Sequence, residues 1–305
     1  MISIILCTYN RASLLAKTIR SILDCAVSNI NYELLIVDNN STDNTKDVIL
    51  SFNDNHVRYI FEPNQGLSNA RNRGIKESQG NMLIFTDDDV IVDRNWIKSI
   101  YNCFIQHPDC IAVGGRILPD FTDVKVPKWI KDNYREFPGP IVSHDYGEDC
   151  FEYPERMYFV GANMAFRREV FDKYGLFNPN LGFNAKDNIM IPGEETDIFK
   201  RIKAGGDKIL YCGKALVYHP VPQDRCNLNY IIRWHIGGGR GYAREDMNEY
   251  KRKFLGIPLW LYRKIFLNFG KLFINLFSKR KFTYLRILSV NLGQAIEYRK
   301  KLWRK

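Results

Sequence analysis

Three consecutive carboxylates, Asp87, Asp88 and Asp89, directly follow the apolar run 82–85 and Thr86. Negative charges this close repel one another unless a cation neutralises them. Mg²⁺ and Mn²⁺ prefer carboxylate oxygens and share their remaining coordination positions with phosphate groups. The triplet therefore predicts a divalent-cation site that receives a phosphorylated ligand. An Asp-rich turn that caps the following helix is the alternative.

A fourth carboxylate, Asp38, ends the apolar run 34–37 and precedes a polar segment, residues 39–43. In open α/β sheets, ligands bind outside the carboxyl ends of parallel strands, where an acid commonly contacts a ribose. Asp38 is therefore predicted to face the same ligand as the triplet. An ordinary helix cap is the alternative for this residue.

The elements that must position these acids alternate between strands and helices. Short apolar runs and helical patterns alternate over residues 1–110, which is typical of βαβ units and a mainly parallel sheet. The predicted strands are 2–8, 33–38, 57–62, 82–86 and 208–217, and the predicted helices are 12–25, 42–52, 66–79, 168–174 and 194–204. Residues 111–158 are irregular and rich in aromatics, which favours a substrate-binding excursion.

The seven cysteines are scattered singly, without the paired spacing that a zinc site or a redox dithiol needs. The N-terminus begins with a strand-like run and lacks the pattern of a secretory signal. We therefore expect a reduced, cytoplasmic protein.

The basic charge of the chain lies in its last part. Residues 251–305 contain fifteen Lys or Arg and one acid, Glu297, so the first 250 residues are mildly acidic. Apolar residues recur at spacings of three and four over 255–278, with a narrow polar stripe, which predicts an amphipathic helix. Charges interrupt any long apolar run, which disfavours a membrane-spanning helix.

A cationic amphipathic helix favours the surface of an anionic membrane. The alternative is a helix that packs on the rest of the chain or in a dimer. We expect no nucleic-acid partner, because no recognised binding module accompanies the charge. Just before this tail, residues 233–241 combine Arg, Trp, His and four glycines, which predicts either a lid over a diphosphate or a simple hinge.

Five separate segments resemble family 2 glycosyltransferases of the GT-A fold, and the resemblance extends over most of residues 2–220. The ordered segments are Cys7-Thr8-Tyr9-Asn10-Arg11, residues 37–43 (VDNNSTD), residues 64–74 (NQGLSNARNRG), Asp87 to Asp89, and residues 193–197 (GEETD). The resemblance implies a mixed, mainly parallel sheet flanked by helices, with a nucleotide-diphospho-sugar as donor.

The same resemblance implies roles for individual residues. Asp38 would read the base, usually uracil, Asp87 would approach the ribose, and Asp89 would bind a Mn²⁺ or Mg²⁺ ion at the diphosphate. The full set of donor-binding residues that it implies is Thr8, Asn10, Asp38, Arg71, Asp87 and Asp88.

On the acceptor side, the family has an acid, usually Asp, at a helix start, and this chain has Glu195 there, preceded by Glu194. Either carboxylate could act as the general base that takes the acceptor hydroxyl's proton, and Glu195 is the predicted base. The alternative is that these acids favour the helix dipole. His219 stands where related enzymes often have a metal-binding histidine, so it is predicted to join Asp89. A structural histidine is the alternative.

These observations predict an inverting glycosyltransferase whose donor is a nucleotide-diphospho-sugar, with UDP as the first choice of nucleotide. The acceptor would be a hydroxyl of a glycan or of a lipid-linked molecule, in the synthesis of a surface polysaccharide or glycoconjugate. Inversion follows from the resemblance. The expected location is the inner face of the cell membrane. Residues 1–227 would form the GT-A domain, with a nucleotide half (1–110) and an acceptor half (111–227), and residues 228–305 the lid and basic helices. The rivals are an inactive sugar- or lipid-binding scaffold and a sugar nucleotidylyltransferase.

Overall fold

The computed structural model describes residues 1–25, 27, 29–154, 157–184, 189–191, 193–246, 248 and 250–302. The chain divides into two compact units. The first combines Met1–Leu118 with His144–Pro220, and the second combines Pro119–Ser143 with Val221–Lys305. This division differs from the predicted boundary at residue 227, because a segment of the expected acceptor half groups with the C-terminal helices.

Most of the described strands lie in the first unit. The described strands, in chain order, are β1 (Ile2–Thr8), β2 (Tyr32–Asp38), β3 (Val57–Phe61), β4 (Met82–Thr86), β5 (Ile91–Val92), β6 (Cys110–Asp120), β7 (Cys150–Glu152), β8 (Met164–Arg167), β9 (Gly182–Asn184), β10 (Ile189–Ile191), β11 (Lys208–Pro220), β12 (Lys253–Phe254) and β13 (Ile257–Pro258).

The main sheet is mixed. Its order is β3-β2-β1-β4-β8-β6-β11-β5, and β7 also pairs with β11. Strands β1 to β4 pair in parallel with one another, whereas β8 is antiparallel to both β4 and β6. Two short antiparallel pairs, β9 with β10 and β12 with β13, lie outside this sheet.

Helices cover the sheet and form most of the second unit. The described helices are α1 (Ala12–Leu23), α2 (Thr45–Leu50), α3 (Leu67–Glu77), α4 (Trp96–Gln106), α5 (Lys128–Lys131), α6 (Glu169–Tyr174), α7 (Glu194–Ala204), α8 (Leu228–Glu245), α9 (Leu259–Ile274) and α10 (Arg280–Leu302). Among these described helices, none has the combination of length and apolar character that crossing a membrane requires.

The register of the parallel strands brings the predicted site residues to one edge. Thr8 at the end of β1 pairs with Asp38 at the end of β2, and Leu6 pairs with Thr86 at the end of β4. These strands are buried on both faces, as their continuous apolar sequences require. The predicted sheet edge is therefore confirmed.

Two strands, β6 and β7, lie in the segment that the sequence predicts to be irregular. Residues 111–158 were expected to be irregular, but β6 extends over Cys110–Asp120 and its first six residues are buried in the sheet. The next residues belong to the second unit, where Phe137 is fully buried and Trp129 stacks on Phe282 with ring centroids 5.4 Å apart. At least these two aromatics of the expected excursion are therefore core residues.

Close packing of α8 on α10 explains one glycine of the predicted lid. Residues 233–241 lie inside the continuous helix α8, and a Cβ added to Gly239 would lie 2.0 Å from the carbonyl oxygen of Val290 in α10. Arg240, one of the two arginines of this segment, pairs with Glu297, the Nε to Oε2 distance being 3.1 Å. Here the glycine permits close contact between helices, while closure over a donor stays a prediction.

We expect Gly239→Ala to lower the free energy of unfolding by about 1–3 kcal/mol, because the added methyl group overlaps backbone of α10. Gly237→Ala is the matched control, because nothing lies within 4 Å of its added Cβ. This control should instead gain about 0.5–1 kcal/mol from the higher helix propensity of alanine. Urea unfolding followed by circular dichroism measures both changes, and equal effects of the two substitutions would contradict the packing role.

Candidate active site

Two carboxylates and one imidazole converge beside the end of β4. One oxygen each of Asp87 and Asp89 and one ring nitrogen of His219 all lie within 4.8 Å of one another. The short strand β5, which follows the triplet, pairs with Val217 and Tyr218 of β11 and so brings the triplet next to His219. The structure therefore brings together the two predicted metal-binding residues, Asp89 and His219, and adds Asp87.

The ring of His219 is held in a defined orientation. Its Nδ1 lies 3.0 Å from the carbonyl oxygen of Pro220, and its Nε2 lies 3.6 Å from Oδ1 of Asp89. A second contact that fixes the distal ring nitrogen is common for histidines that bind metals. β11 ends at Pro220, three residues beyond the predicted strand end, and so includes His219. The sheet therefore places the imidazole.

The charges at this cluster suit a divalent cation. Burial raises the pKa of Asp87, Arg71 opposes that rise, and the charge of Asp89 adds to it. Carboxylate oxygens with an imidazole form a ligand set that suits Mn²⁺ and related divalent ions. Asp87, Asp89 and His219 therefore fit a metal ion at this position.

Asp88 faces a different partner from its neighbours. Thr8 Oγ1 donates a hydrogen bond of 2.6 Å to Oδ2 of Asp88, and Thr18 Oγ1 donates one of 2.9 Å to its carbonyl oxygen. Burial raises the pKa of the Asp88 carboxyl to about 7, although the bond from Thr8 opposes this rise. Thr8 and Asp88, both predicted to bind the donor, thus fix the end of β1 to the triplet.

Two more of the predicted nucleotide contacts, Asp38 and Asn10, hold the loop after β2. Asp38 accepts hydrogen bonds from the Ser41 amide at 2.9 Å and from the Tyr59 hydroxyl at 3.0 Å. Asn10 has a positive φ of 51°, and its Oδ1 accepts a 2.8 Å bond from the Thr42 amide. Asn10 and Asp38 therefore lie on adjacent loops at the sheet edge, and their contact with a base stays a prediction.

Arg71 joins the two sides of the site. Its guanidinium is buried, donates a 2.9 Å hydrogen bond from Nη1 to Oε1 of Glu194, and places Nη2 3.9 Å from Oδ1 of Asp87. A Cβ on Gly161 would lie 2.5 Å from the same Nη2, so the absence of a side chain there makes room for the guanidinium. The structure thus gives Arg71 two carboxylate partners, while its predicted contact with the nucleotide stays a prediction.

Glu195, the predicted base, follows Glu194 in the first turn of α7. Among the described residues, its Oε2 is buried and meets no hydrogen-bond partner. Burial raises the pKa of Glu195 to about 7, the charge of Glu194 adds to the rise, and Arg71 opposes it. A carboxylate with a pKa near neutrality can accept a proton from a substrate.

Sequence reasoning did not predict the contacts of two charged residues of the site. Arg11 places Nη1 3.7 Å from Oδ2 of Asp89, and Glu194 was considered only as an alternative base. The position of Arg11 after β1 is the signal that could have indicated a contact at the sheet edge. The pairing of Glu194 with Arg71 joins positions 123 residues apart, and no local pattern in the sequence indicates it.

Acids that line the carboxyl edge of a sheet of this topology are typical of α/β transferases that take nucleotide-activated substrates. The chain belongs to glycosyl transferase family 2, whose model matches residues 3–175. The protein is therefore a glycosyltransferase. The matched residues include the sheet edge and the Asp triplet but end before Glu195 and His219, so the roles of those two residues rest on the geometry.

Curated relatives and solved structures are similar over most of the chain. It is 25% identical over 252 residues to the glucosyl-dolichyl phosphate glucuronosyltransferase of Haloferax volcanii, covering 81% of this chain and 77% of that protein. It is also 25% identical over 248 residues to the succinoglycan biosynthesis protein ExoM of Rhizobium meliloti, covering 80% of this chain and 74% of that protein.

The solved mannosyltransferase PcManGT from Pyrobaculum calidifontis, in complex with GDP-Man and Mn²⁺, matches with a TM-score of 0.58 and 15% identity, over 100% of this chain and 87% of that one. GalNAc-T7 with UDP, GalNAc and Mn²⁺ matches with a TM-score of 0.57 and 15% identity, over 81% of this chain and 51% of that one. These likenesses establish the GT-A fold, and the predicted fold class and family are both confirmed.

Proposed function

We propose that the protein is a metal-dependent, inverting glycosyltransferase in which Asp87, Asp89 and His219 hold the cation and Glu195 is the general base. The observation that carries this proposal is Arg71, whose guanidinium contacts both Asp87 and Glu194. Through this one buried side chain, the cation ligands and the acid at the start of α7 belong to a single site. If these acids only capped helices, no buried arginine would need to contact both Asp87 and Glu194.

The donor side neutralises the charge that grows on the leaving group. A divalent cation, Mn²⁺ or Mg²⁺, would supply Lewis-acid stabilisation of the nucleotide diphosphate as the glycosidic bond breaks. Arg11, which is half exposed beside Asp89, is placed to add a second positive charge for phosphate oxygens. Asp38 and Asn10 would orient the base and ribose at the neighbouring strand ends.

The acceptor side supplies the proton acceptor. Glu195 would take the proton of the acceptor hydroxyl while that oxygen attacks the anomeric carbon, so the bond to the diphosphate breaks on the opposite face. One direct displacement of this kind inverts the anomeric configuration. Glu194 is less suited to this role, because it is buried and its carboxylate already pairs with Arg71.

UDP is the proposed nucleotide of the donor, since Asp38 stands where an acid usually reads uracil. The proposed acceptor is a glycan or lipid-linked hydroxyl in glycoconjugate or surface polysaccharide synthesis. The names of two relatives, one acting on a dolichyl phosphate and one in succinoglycan biosynthesis, support this class. The basic C-terminal helices would hold the enzyme at the cytoplasmic face of an anionic membrane, where such acceptors lie.

A donor panel tests the proposal. Purified protein is incubated with UDP-, GDP- and dTDP-sugars and membrane extract as the acceptor source, and release of nucleoside diphosphate is measured with Mn²⁺, with Mg²⁺ or with EDTA. We expect release from a UDP-sugar that EDTA abolishes and Mn²⁺ restores. Asp47→Asn removes an exposed acid of α2 that lies outside the candidate site. It is the control for the loss of any one carboxylate, and its release of nucleoside diphosphate should match that of the wild type. If no donor releases its nucleotide, the binding scaffold becomes the better interpretation.

A further inference from the structure

An uncovered row of phenylalanines lies along α9 and the turn after it. The aromatic ridge, as we name it, consists of residues whose side chains are largely exposed: Phe266 (78%), Phe269 (61%), Phe273 (71%) and Phe277 (103%). Spacings of three and four residues place the three within α9 on one helical face. Exposed apolar patches of this kind mark sites of interaction with a partner or a membrane.

The opposite side of α9 is occupied within the second unit. Leu261 is fully buried, and Asn268 Nδ2 donates a 3.3 Å hydrogen bond to Oδ1 of Asn291 in α10. Asn268 belongs to the polar stripe predicted for this helix, at positions 264, 268, 271, 275 and 278, so part of that stripe faces a neighbouring helix. Among the residues that the structure describes, none covers the phenylalanine face of α9, which is therefore exposed.

Positive charges flank the aromatic ridge at both ends. Arg263 lies one turn before Phe266, and Lys279 and Arg280 directly follow Phe277; all three side chains are exposed. Lys264 and Lys271 share the helical face of Asn268 instead, and Lys271 Nζ lies 5.9 Å from the ring centroid of Tyr284 in α10. Glu297, the one acid among residues 251–305, is buried and accepts hydrogen bonds from Arg240 and Arg244. The charge around the ridge is therefore positive and complements an anionic lipid surface.

We propose that the aromatic ridge inserts into the interface of an anionic lipid bilayer, with the flanking Lys and Arg side chains on the phospholipid headgroups. This inference deepens the proposed function, from which it takes the membrane location, and it names the residues that enter the bilayer. A second copy of the chain is a poorer occupant. In a symmetric dimer through this face, the same patch meets itself, so like charges would meet around the ridge.

Vesicle flotation of the full-length protein tests the insertion. We expect binding to vesicles of phosphatidylglycerol and phosphatidylcholine in equal parts and much weaker binding to pure phosphatidylcholine. Phe269→Ser and Phe273→Ser should each lower the partition coefficient by about tenfold, because each removes a large apolar side chain from the interface. Arg263→Glu and Lys279→Glu should each lower it by at least about fivefold.

Phe61→Ser is the matched control, since Phe61 is also exposed (46%) but lies on β3 in the first unit. It should bind vesicles as the wild type does. High salt should weaken wild-type binding without abolishing it, because inserted side chains are not screened. Equal binding by the control and the ridge variants would overturn the proposal. So would a ridge variant that changes the elution volume on a sizing column instead of vesicle binding, since that result would assign the ridge to a dimer.

The same proteins are assayed for metal-dependent release of nucleoside diphosphate from the donor in solution. Ridge variants should retain this release, because no ridge residue belongs to the candidate active site. Vesicle binding without any donor release would contradict the proposed function and leave the docking surface intact. Donor release without ridge-dependent vesicle binding would contradict the membrane insertion and leave the proposed function intact.

Discussion

Glu195→Gln is expected to lower the rate of glycosyl transfer by about 10²–10⁴-fold, the usual contribution of a general base. Glutamine keeps the shape of the side chain but cannot accept a proton from the acceptor hydroxyl. Because burial raises the pKa of Glu195 to about 7, the wild-type rate should rise as pH increases through about 7 and level off above it. The variant should lose this rising limb. Initial rates of nucleoside diphosphate release over a pH series measure both effects.

Asp197→Asn is the matched control for this prediction. Asp197 lies in the same first turn of α7, and its carboxylate pairs with Arg201 at 2.8 Å. If the acids at this helix start act only on the helix dipole, removing either charge should have a similar small effect. A role as base predicts a large loss for Glu195→Gln and a small one for Asp197→Asn. Similar rates in the two variants would contradict the assignment of Glu195.

The sequence was sufficient to predict the sheet edge because local patterns determine it. Apolar runs that end in polar residues identified β1, β2 and β4, and parallel pairing in register then places Thr8 beside Asp38. The prediction that Asp89 and His219 lie together came from the family resemblance. Its physical basis is the pairing of β5 with β11, two strands that are distant in the chain. β11 was predicted, but β5 has only two residues and is too short to be identified from periodicity.

The family resemblance placed Arg71 in the site, but the contacts of its side chain could not be predicted from the sequence. Arginine in a polar helical segment is ordinarily assigned to the surface, yet this guanidinium is buried between Glu194 and Asp87. Burial of the charge requires two carboxylates from distant parts of the chain and a glycine at position 161 that leaves space. Each of these conditions depends on the tertiary fold, because the residues involved are far apart in the chain. No local sequence pattern can therefore predict them.

The C-terminal helices show a similar limit. The period of the apolar residues predicted an amphipathic helix over 255–278, and the structure has α9 over Leu259–Ile274 after a short hairpin. Periodicity identifies an apolar face but does not state what covers that face. The hydrogen bond from Asn268 to Asn291 shows that part of the polar stripe packs against α10, which leaves the aromatic ridge exposed.

Asp89→Ala should lower metal-dependent turnover by about 10²–10⁴-fold, since a bound cation supplies several kcal/mol of stabilisation to the charged leaving group. The substitution removes a carboxylate that lies within reach of both Asp87 and His219. Binding of Mn²⁺, followed by electron paramagnetic resonance in the presence of nucleoside diphosphate, should weaken in parallel. This second readout separates loss of the cation from loss of the base, because Glu195→Gln should bind Mn²⁺ as the wild type does.

Asp88→Asn is the control within the triplet. The carboxylate of Asp88 accepts a hydrogen bond from Thr8, and an asparagine oxygen can accept the same bond. Because Asp88 is not part of the cluster formed by Asp87, Asp89 and His219, its substitution should leave Mn²⁺ binding within about threefold of the wild type, a change of less than 1 kcal/mol. If Asp88→Asn weakened Mn²⁺ binding as much as Asp89→Ala, the cation would depend on the summed charge of the triplet, and the geometric assignment of its ligands would be wrong.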